Sequence, residues 1–301
     1  MKGCDDLKTY TDEFKTYLKN VKKCSANTFD AYIRDVDKFL DYCTAQGIKE
    51  VNNIKSDSID GYIKHIKEIG KSDSTKTRII ASIRCYFGFL QSKKLVTVNC
   101  SQGIKNPRNE RKMPEILTSQ EVITLLAQPD VSDYKGMRDK AMLELLYATG
   151  IKVSELIELS VSDVNLQIGI LHIKSAQHER IVPIYQDAVK HIGEYINIAR
   201  PALVCNDGED KLFTNYSGKP MSRQGFWKII KYYSKKAGIN KEITPQTLRH
   251  SFAAHLLENG AQLSDIKEML GHLDISSTQI YAQLVKSKYV QSYAKFHPLA
   301  K

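Results

Sequence analysis

Apolar residues recur every three or four positions through the first hundred residues, the spacing that aligns them on one face of an α-helix. Each apolar stripe is short and ends in a glycine or a polar break, so neighbouring helices must be joined by short links. This pattern predicts a small helical bundle in the first part of the chain. The predicted helices cover 6–20, a segment from the N-cap Ser25 to Gly47, 57–69 closed by Gly70, and 74–93 opened by Ser72 or Asp73.

The helical pattern is interrupted at 99–114, NCSQGIKNPRNERKMP. This stretch combines prolines, a glycine and a run of charged residues, a composition typical of a linker between domains. We therefore predict a helical domain over 1–100, a linker over 101–114 and a second domain over 115–301.

Beyond residue 115 the pattern becomes mixed. Apolar and polar residues alternate over 168–183, which predicts a β-hairpin, whereas most other periodic segments have helical spacing. The fold is therefore predicted to be mainly α with a small β-sheet. Helices are predicted over 118–128 with a Thr118–Glu121 capping box, 138–148, 186–199 ending before Pro201, 222–237, three times within 244–284 and once in the tail 285–301, and a short strand over 212–214.

Composition restricts the class of partner. The formal net charge of +10 favours a polyanion, although it fits a ribosomal factor, a membrane-surface protein or an enzyme of nucleotide metabolism equally well. The six cysteines form no CxxC pair and have no metal-ligand spacing. The N-terminus is polar, and no apolar run approaches the length of a membrane span. We expect a soluble, cytoplasmic protein with reduced thiols and no membrane contact.

The most informative stretch is 244–284, which contains the blocks TPQTLRHSFAAHLLENG, LGH and SSTQIY. A further block, ATGIKVSEL, lies at 148–156. Together these blocks resemble the signature of the tyrosine site-specific recombinases of the phage integrase family, most closely the bacterial Xer type. Two positions depart from the family pattern: Lys152 replaces an arginine and Gln246 replaces a histidine.

The resemblance implies that Tyr281 attacks a DNA phosphodiester and forms a 3′-phosphotyrosyl link. A phenol, with an ordinary pKa of about 10, becomes a useful nucleophile when cations stabilise the charge that develops on the phosphate. By the same resemblance Arg249, Lys152 and His272 stabilise that charge. Arginine suits the task because its planar fork can bind two oxygens at once. No metal or cofactor is implied.

Two further roles follow from the resemblance. Lys174, just before the turn of the predicted hairpin, would protonate the leaving 5′-oxygen as the general acid. Gln246 would act as a neutral donor in place of the second histidine. His250 belongs to the same sequence block and is interpreted as structural support.

Each of these residues also has an ordinary interpretation when taken alone. Most tyrosines pack and satisfy their hydroxyl group within the fold. A histidine after a helix-ending glycine is commonly a C-cap donor, Lys174 could be an exposed lysine at a sheet edge, and Lys152 could be a solvated lysine at a helix start. The order and spacing of the blocks favour the catalytic interpretation.

The resemblance also implies an organisation on DNA. It predicts a SAM-like core-binding domain and an α/β catalytic domain that clamp duplex DNA, with four protomers bringing two sites together. The C-terminal tail would dock on a neighbouring protomer or fold back on its own domain, and a second recombinase or an activator could take part. Basic residues that could line a DNA groove, or simply be solvated, are Lys22, Lys23, Arg34, Lys64, Lys67, Lys71, Lys76, Arg78 and Arg84.

Two other functions stay open at this point. Because Lys152 and Gln246 depart from the family pattern, the chain could be a catalytically weakened homologue that binds a recombination site as a regulator. The same phosphotyrosine step would also serve a topoisomerase that relaxes supercoils without pairing two sites.

Overall fold

The computed structural model describes residues 7–104, 106, 114–174, 179–205, 208–271 and 278–282. The chain divides into two compact units, Met1–Arg111 and Lys112–Lys301. The described part is mainly helical with one small sheet, which confirms the predicted fold class. His272 and the predicted tail helix at 285–301 lie outside the described residues.

The first unit is the predicted bundle. Ser25 and Ser72 cap their helices, each hydroxyl accepting the backbone N–H three residues on. The first helix begins at Thr11 rather than at residue 6, after a turn. A core of aromatic and aliphatic side chains fills the space between the helices. The helices are α1 (Thr11–Asn20), α2 (Ala26–Ala45), α3 (Ser56–Glu68) and α4 (Asp73–Ser92), with a 3-10 turn at Val51–Asn53.

The second unit surrounds α6, a helix buried on nearly all sides. This helix begins four residues earlier than predicted, because the Asp133 carboxylate accepts the backbone N–H of Gly136 and caps it. The elements are α5 (Ser119–Leu126), α6 (Tyr134–Thr149), α7 (Val153–Leu156), a 3-10 turn at Val161–Asp163, β1 (Val164–Asn165), β2 (Ile170–Ile173), β3 (Arg180–Pro183), α8 (Gln186–Glu194), a π-helical turn at Tyr195–Ala199, α9 (Arg200–Leu203), α10 (Arg223–Lys236), α11 (Pro245–Glu258), α12 (Leu263–Leu270) and a helical segment at 278–282.

The predicted hairpin is present as β2 and β3, with β1 on the other side of β2 in an antiparallel sheet. Leu171 pairs with Val182, and both side chains are buried against the helices. Alternation along β3 places Arg180 on the same inner face as Val182, and only 5% of Arg180 is exposed. An arginine is thus carried into the core by the strand.

The predicted helix end before Pro201 is wrong. The helical turns continue to Leu203, because the backbone widens into a π-helical turn over Tyr195–Ala199 just ahead of the proline. Proline lacks an N–H and clashes with the preceding turn of a regular α-helix. A π-turn changes which carbonyl faces each N–H, so the chain passes the proline without breaking the helix.

The predicted strand over 212–214 is also wrong. Lys211, just before this range, and Thr214, its last residue, form only isolated bridges, to Ser160 and Pro220 respectively. Phe213 instead accepts a backbone bond from Met221 and packs in the core of the unit. The apolar residues that suggested a strand therefore reflect burial of a loop.

The described residues were compared with the expectations for membrane spans, metal sites and cysteines. None of the described helices is long and apolar enough to cross a membrane. Within the described ranges no cluster of three or more His, Cys, Asp or Glu side chains could hold a metal ion. The cysteines in these ranges are free thiols, and burial raises the pKa of Cys43 to about 12.

Candidate active site

Helix α11 carries two residues of the predicted site, Gln246 and Arg249. Thr244 caps it by accepting the backbone N–H of Thr247, and Pro245 occupies the first turn, where its missing N–H costs nothing. Gln246 lies exposed in that first turn, whereas Arg249, one turn further, is only 2% exposed.

The Arg249 guanidinium binds the ends of two other helices. Its two Nη groups donate to the carbonyl of Gly150, which ends α6, and to the carbonyl of Leu270, which ends α12, the latter at 2.7 Å. Helix C-termini carry unpaired carbonyls and partial negative charge, so they favour a cation. Burial lowers the pKa of Arg249 to about 10, against the opposing effect of Tyr281 and Glu155, so the group stays charged at neutral pH.

The packing around Arg249 leaves room only for glycine at positions 150 and 271. Both have left-handed backbone conformations, with φ of 59° and 63°. A Cβ on Gly150 would lie 2.3 Å from the ring of Phe252, and one on Gly271 would lie 2.7 Å from a guanidinium nitrogen of Arg180. The T-G and L-G-H motifs therefore mark places where two segments approach too closely for a side chain.

Lys152 follows Gly150 and starts α7. Its side chain is exposed, while its backbone N–H donates to Glu155 Oε2 at 2.8 Å. Glu155 also accepts from Nη1 and Nη2 of Arg180, at 3.1 Å and 2.8 Å. Burial would raise the pKa of Glu155, but the bonds from Arg180 and from the Lys152 backbone bring it below its ordinary value. The carboxylate therefore stays ionised and ties Lys152 to β3.

Arg180 extends this network towards the L-G-H block. Its Nε donates to the carbonyl of Met269 at 2.8 Å, two residues before Gly271. Neither Arg180 nor Glu155 was predicted as a site residue from the sequence. The sequence does contain an indication of each residue. Arg180 is an arginine at an inward position of an alternating strand. Glu155 stands at the third position of a helix, where a carboxylate can accept the backbone N–H of the N-cap residue.

Lys174 lies at the end of β2 and pairs with Asp163. Its Nζ is 2.7 Å from Asp163 Oδ1, which raises the pKa of Lys174 through the hydrogen bond and the charge of the carboxylate. The Lys174 side chain is 61% exposed. Asp163 also accepts the backbone N–H of Ser160 at 2.9 Å, so the carboxylate is itself held in place.

Tyr281 lies in the helical segment at 278–282 and is only 1% exposed. Its ring packs with Phe252, Ile266 and Leu270. Burial raises the pKa of its hydroxyl, and the positive charge of Arg249 opposes that rise, so the two groups are near enough to interact electrostatically.

His250, which follows Arg249 on α11, contacts the Tyr281 hydroxyl. The distance from His250 Nδ1 to Tyr281 Oη is 2.9 Å, and the two ring centroids are 5.5 Å apart. Burial, and next the charge of Arg249, lower the pKa of His250 to about 4, so the imidazole is neutral at physiological pH. The sequence block pointed to His250 only as structural support; its bond to the tyrosine comes from packing.

The structure thus brings Arg249 and Tyr281 together and places Lys152 two residues from the carbonyl that Arg249 binds. It links Lys174 to Asp163 and leaves Gln246 exposed at the start of α11. Of the basic residues named above as candidates for a DNA groove, Lys76 pairs with Asp73, Arg78 pairs with Asp35, and Arg84 donates to Asn106 and to the carbonyl of Ile104.

Comparison with known proteins gives matches along most of the chain. Residues 115–288 match the Phage integrase family, and residues 11–94 match the phage integrase N-terminal SAM-like domain. The tyrosine recombinase XerD of Staphylococcus epidermidis is 42% identical over 295 residues, which cover 98% of this chain and 100% of that protein. The tyrosine recombinase XerD of Staphylococcus aureus is 41% identical with the same coverage.

Solved structures share the fold. The crystal structure of XerA recombinase is 28% identical, with a TM-score of 0.55 over 96% of this chain and 98% of that one. The XerH site-specific recombinase bound to a palindromic difH substrate, in a post-cleavage complex, is 20% identical, with a TM-score of 0.76 over 94% of this chain and 84% of that one.

Proposed function

Because the chain belongs to the phage integrase family as a Xer-like tyrosine recombinase that cleaves and rejoins DNA, we propose that Tyr281 is its nucleophile. The observation that carries this assignment is the contact of the buried phenol with His250, the residue that directly follows the buried Arg249 on α11. Attack forms the bond from Tyr281 Oη to phosphorus and breaks the bond from phosphorus to the 5′-oxygen. Since Tyr281 is only 1% exposed, the phenol must be uncovered when the substrate docks.

Positive charge for the phosphate comes from Arg249 and Lys152. Arg249 is held by two helix ends, so its charge is oriented before DNA arrives, and a preorganised donor costs no rearrangement during the reaction. The Lys152 ammonium is exposed at the start of α7 and supplies one further charge. Gln246 is a neutral donor at the start of α11. His272, whose role follows from the family pattern, lies outside the described residues.

Lys174 is the proposed general acid. It protonates the 5′-oxygen as that oxygen leaves, and the 5′-hydroxyl later attacks the phosphotyrosyl bond to rejoin a strand. The pairing with Asp163 means that the ammonium must leave the carboxylate before it reaches the leaving group. The bond energy stays in the protein–DNA link, so rejoining needs no nucleotide cofactor.

The partner is a duplex recombination site. We assign residues 1–100 to a core-binding domain, 101–114 to a linker and 115–301 to the catalytic domain, which together clamp the site. Four protomers would pair two sites for strand exchange, in chromosome dimer resolution or in integration and excision of a mobile element. A second recombinase or an activator remains a compatible addition to this assembly.

Trapping of a covalent complex tests the nucleophile. A nicked suicide duplex carrying the recombination site loses a short 5′-hydroxyl fragment after cleavage, so rejoining fails and the protein–DNA adduct accumulates. We expect an SDS-resistant adduct with the unaltered protein and none with Tyr281→Phe, while both proteins still bind the duplex in a gel shift. Binding without any adduct from the unaltered protein would instead support the weakened, regulatory homologue.

Tyr147→Phe is the matched control, because Tyr147 also bonds to a histidine of α11, His255, at 2.9 Å. It removes the same hydroxyl from the same kind of environment and should leave the adduct intact. An adduct that survives Tyr281→Phe would overturn the assignment. Relaxation of a supercoiled plasmid without exchange between two sites would point to the topoisomerase function.

A further inference from the structure

The proposed reaction needs a group that takes the phenolic proton. Lys152, Lys174 and Arg249 are cations in the proposed mechanism, so they donate protons or stabilise negative charge. Where the family pattern has a histidine, this chain has Gln246, and an amide does not accept a proton at neutral pH. A neutral imidazole does, and histidine is the commonest general base in enzymes.

One imidazole is already bonded to the phenol. His250 Nδ1 lies 2.9 Å from Tyr281 Oη, within the range for proton transfer through a hydrogen bond. His250 sits next to Arg249 on α11, so the same helix turn presents a phosphate-binding cation and a proton acceptor. The contact spans 31 residues of sequence and depends on packing of the Tyr281 ring against Phe252 and Leu270.

We propose that His250 is the general base that accepts the Tyr281 proton during DNA cleavage, a role that rests on Tyr281 being the nucleophile. The Tyr281 O–H bond breaks towards His250 Nδ1 while Oη bonds to phosphorus, and Lys174 gives a proton to the departing 5′-oxygen. On rejoining, the 5′-hydroxyl returns a proton to Lys174 and the imidazolium returns one to the phenol. The step involves no oxidant or reductant, and no co-reactant besides the DNA.

Charge at the site links the pKa of His250 to the binding of the substrate. Burial and the neighbouring charge of Arg249 keep His250 neutral, so a lone pair is available, but they also make the imidazole a weak base. A DNA phosphate bound at Arg249 would offset that positive charge and raise the pKa of His250. Proton transfer is therefore favoured only with the phosphodiester in place.

The charged groups around this pair come from several elements. Arg249 acts on both His250 and Tyr281, while Glu155 of α7 and Arg180 of β3 act on Arg249 with opposite signs. Because Glu155 and Arg180 are paired with each other, their charges largely offset, and the phosphate is the main variable charge at the site.

The pH dependence of single-turnover cleavage tests the proposal. On the nicked suicide duplex, His250→Gln should cleave about 10²-fold or more slowly than the unaltered protein near pH 7. Between about pH 6 and about pH 9 its rate should rise steadily with pH, because hydroxide must replace the lost base. The unaltered protein should show a flatter profile. His250→Ala should regain cleavage when imidazole is added, with the gain following the neutral form of imidazole.

Two control variants separate base catalysis from a structural effect. His255→Gln removes a buried histidine from the same helix, one that bonds to Tyr147 and to the Leu117 carbonyl. His191→Asn removes a half-buried histidine paired with Glu194 on α8. Both should keep the pH profile of the unaltered protein, even where His255→Gln lowers the unfolding temperature.

A His250→Gln variant with an unaltered rate and pH profile would overturn the proposal. So would a slow variant that binds the duplex, keeps the original pH profile and gains nothing from imidazole, since that result assigns His250 to positioning alone. Neither outcome affects the nucleophile, because the adduct and its loss in Tyr281→Phe are measured on the same duplex.

Discussion

Lys152 projects from a short stretch of backbone that the partly buried Glu155 and the buried Arg180 hold in place. Its N–H donates to Glu155, and Glu155 receives both Nη groups of Arg180. The Arg180 side chain is only 3% exposed, so water does not compete with its hydrogen bonds to Glu155. Replacement of the family arginine by lysine therefore changes the number and geometry of donors at this position and leaves the local backbone intact.

For this reason we predict that Lys152→Arg accelerates cleavage of the nicked suicide duplex by about tenfold or more. A guanidinium can bind two phosphate oxygens, whereas the ammonium acts as a point charge, and one transition-state donor is commonly worth about 10²–10³-fold in rate. Single-turnover rates give the measurement.

Lys190→Arg, an equally exposed substitution on α8, should leave the cleavage rate unchanged. An equal or lower rate for Lys152→Arg would contradict the assignment of position 152 to phosphate binding and would favour the solvated-lysine interpretation.

At the scale of elements, the β2–β3 hairpin places its lysine against the 3-10 turn that precedes β1. Asp163 caps that turn through the Ser160 N–H and binds Lys174 with its other oxygen. The hydrogen bond and the carboxylate charge both raise the pKa of Lys174. A general acid with a raised pKa gives up its proton less readily, so the pairing with Asp163 would weaken Lys174 in its proposed role.

We predict that Asp163→Asn speeds cleavage by about two- to tenfold, because the pKa of Lys174 falls towards its ordinary value once the carboxylate is neutral. The amide oxygen can still accept the Ser160 N–H, so the turn is kept. The effect should vanish on a duplex with a 5′-phosphorothiolate at the cleavage site, whose sulfur leaves without a proton. Slower cleavage of both duplexes would show that the carboxylate is needed for structure instead.

Helix ends are the other feature at this scale. The C-termini of α6 and α12 converge on Arg249, and each ends in a left-handed glycine. The glycines let the chains turn away immediately, so the final carbonyls face the guanidinium. The Arg249 guanidinium is therefore oriented by the backbone of two helices.

For the whole molecule, the dominant property is an excess of positive charge, +10 by formal count. Several basic residues of the first unit bind acidic partners within the protein, as the pairs Arg78–Asp35 and Lys76–Asp73 show. Helix α10 also presents positive charge, because Arg223, Lys228 and Lys231 are exposed beside the partly exposed Trp227. This helix is therefore a candidate for contact with the DNA backbone.

We predict that Lys228→Gln weakens duplex binding and flattens the dependence of log affinity on log salt by about one. Each phosphate contact releases condensed counterions, so the loss of one contact reduces the magnitude of the slope by about one. Lys190→Gln on α8 serves as the matched control and should leave the slope unchanged. Binding measured by fluorescence anisotropy over a salt series gives both values, and an unchanged slope for Lys228→Gln would exclude that lysine from the interface.

The sequence by itself determined the helices, the hairpin and the family. Caps such as Ser25, Ser72 and Thr118 act on N–H groups within three residues, and the apolar stripes repeat within single elements. Information of this kind is local, so it can be read without knowing the fold. Where local interpretation failed, at Pro201 and at 212–214, the cause was a π-turn and a buried loop that neighbouring elements impose.

Only the tertiary structure decided which charged and polar groups meet. The Glu155–Arg180 pair joins residues 25 apart, Arg249 reaches Gly150 across 99 residues, and Tyr281 meets His250 across 31. No periodic pattern encodes such contacts, because they arise where separate elements pack and exclude water. These contacts and burial then set the charge states. The bonds from Arg180 and the Lys152 backbone keep Glu155 ionised despite its burial, whereas burial and the charge of Arg249 keep His250 neutral.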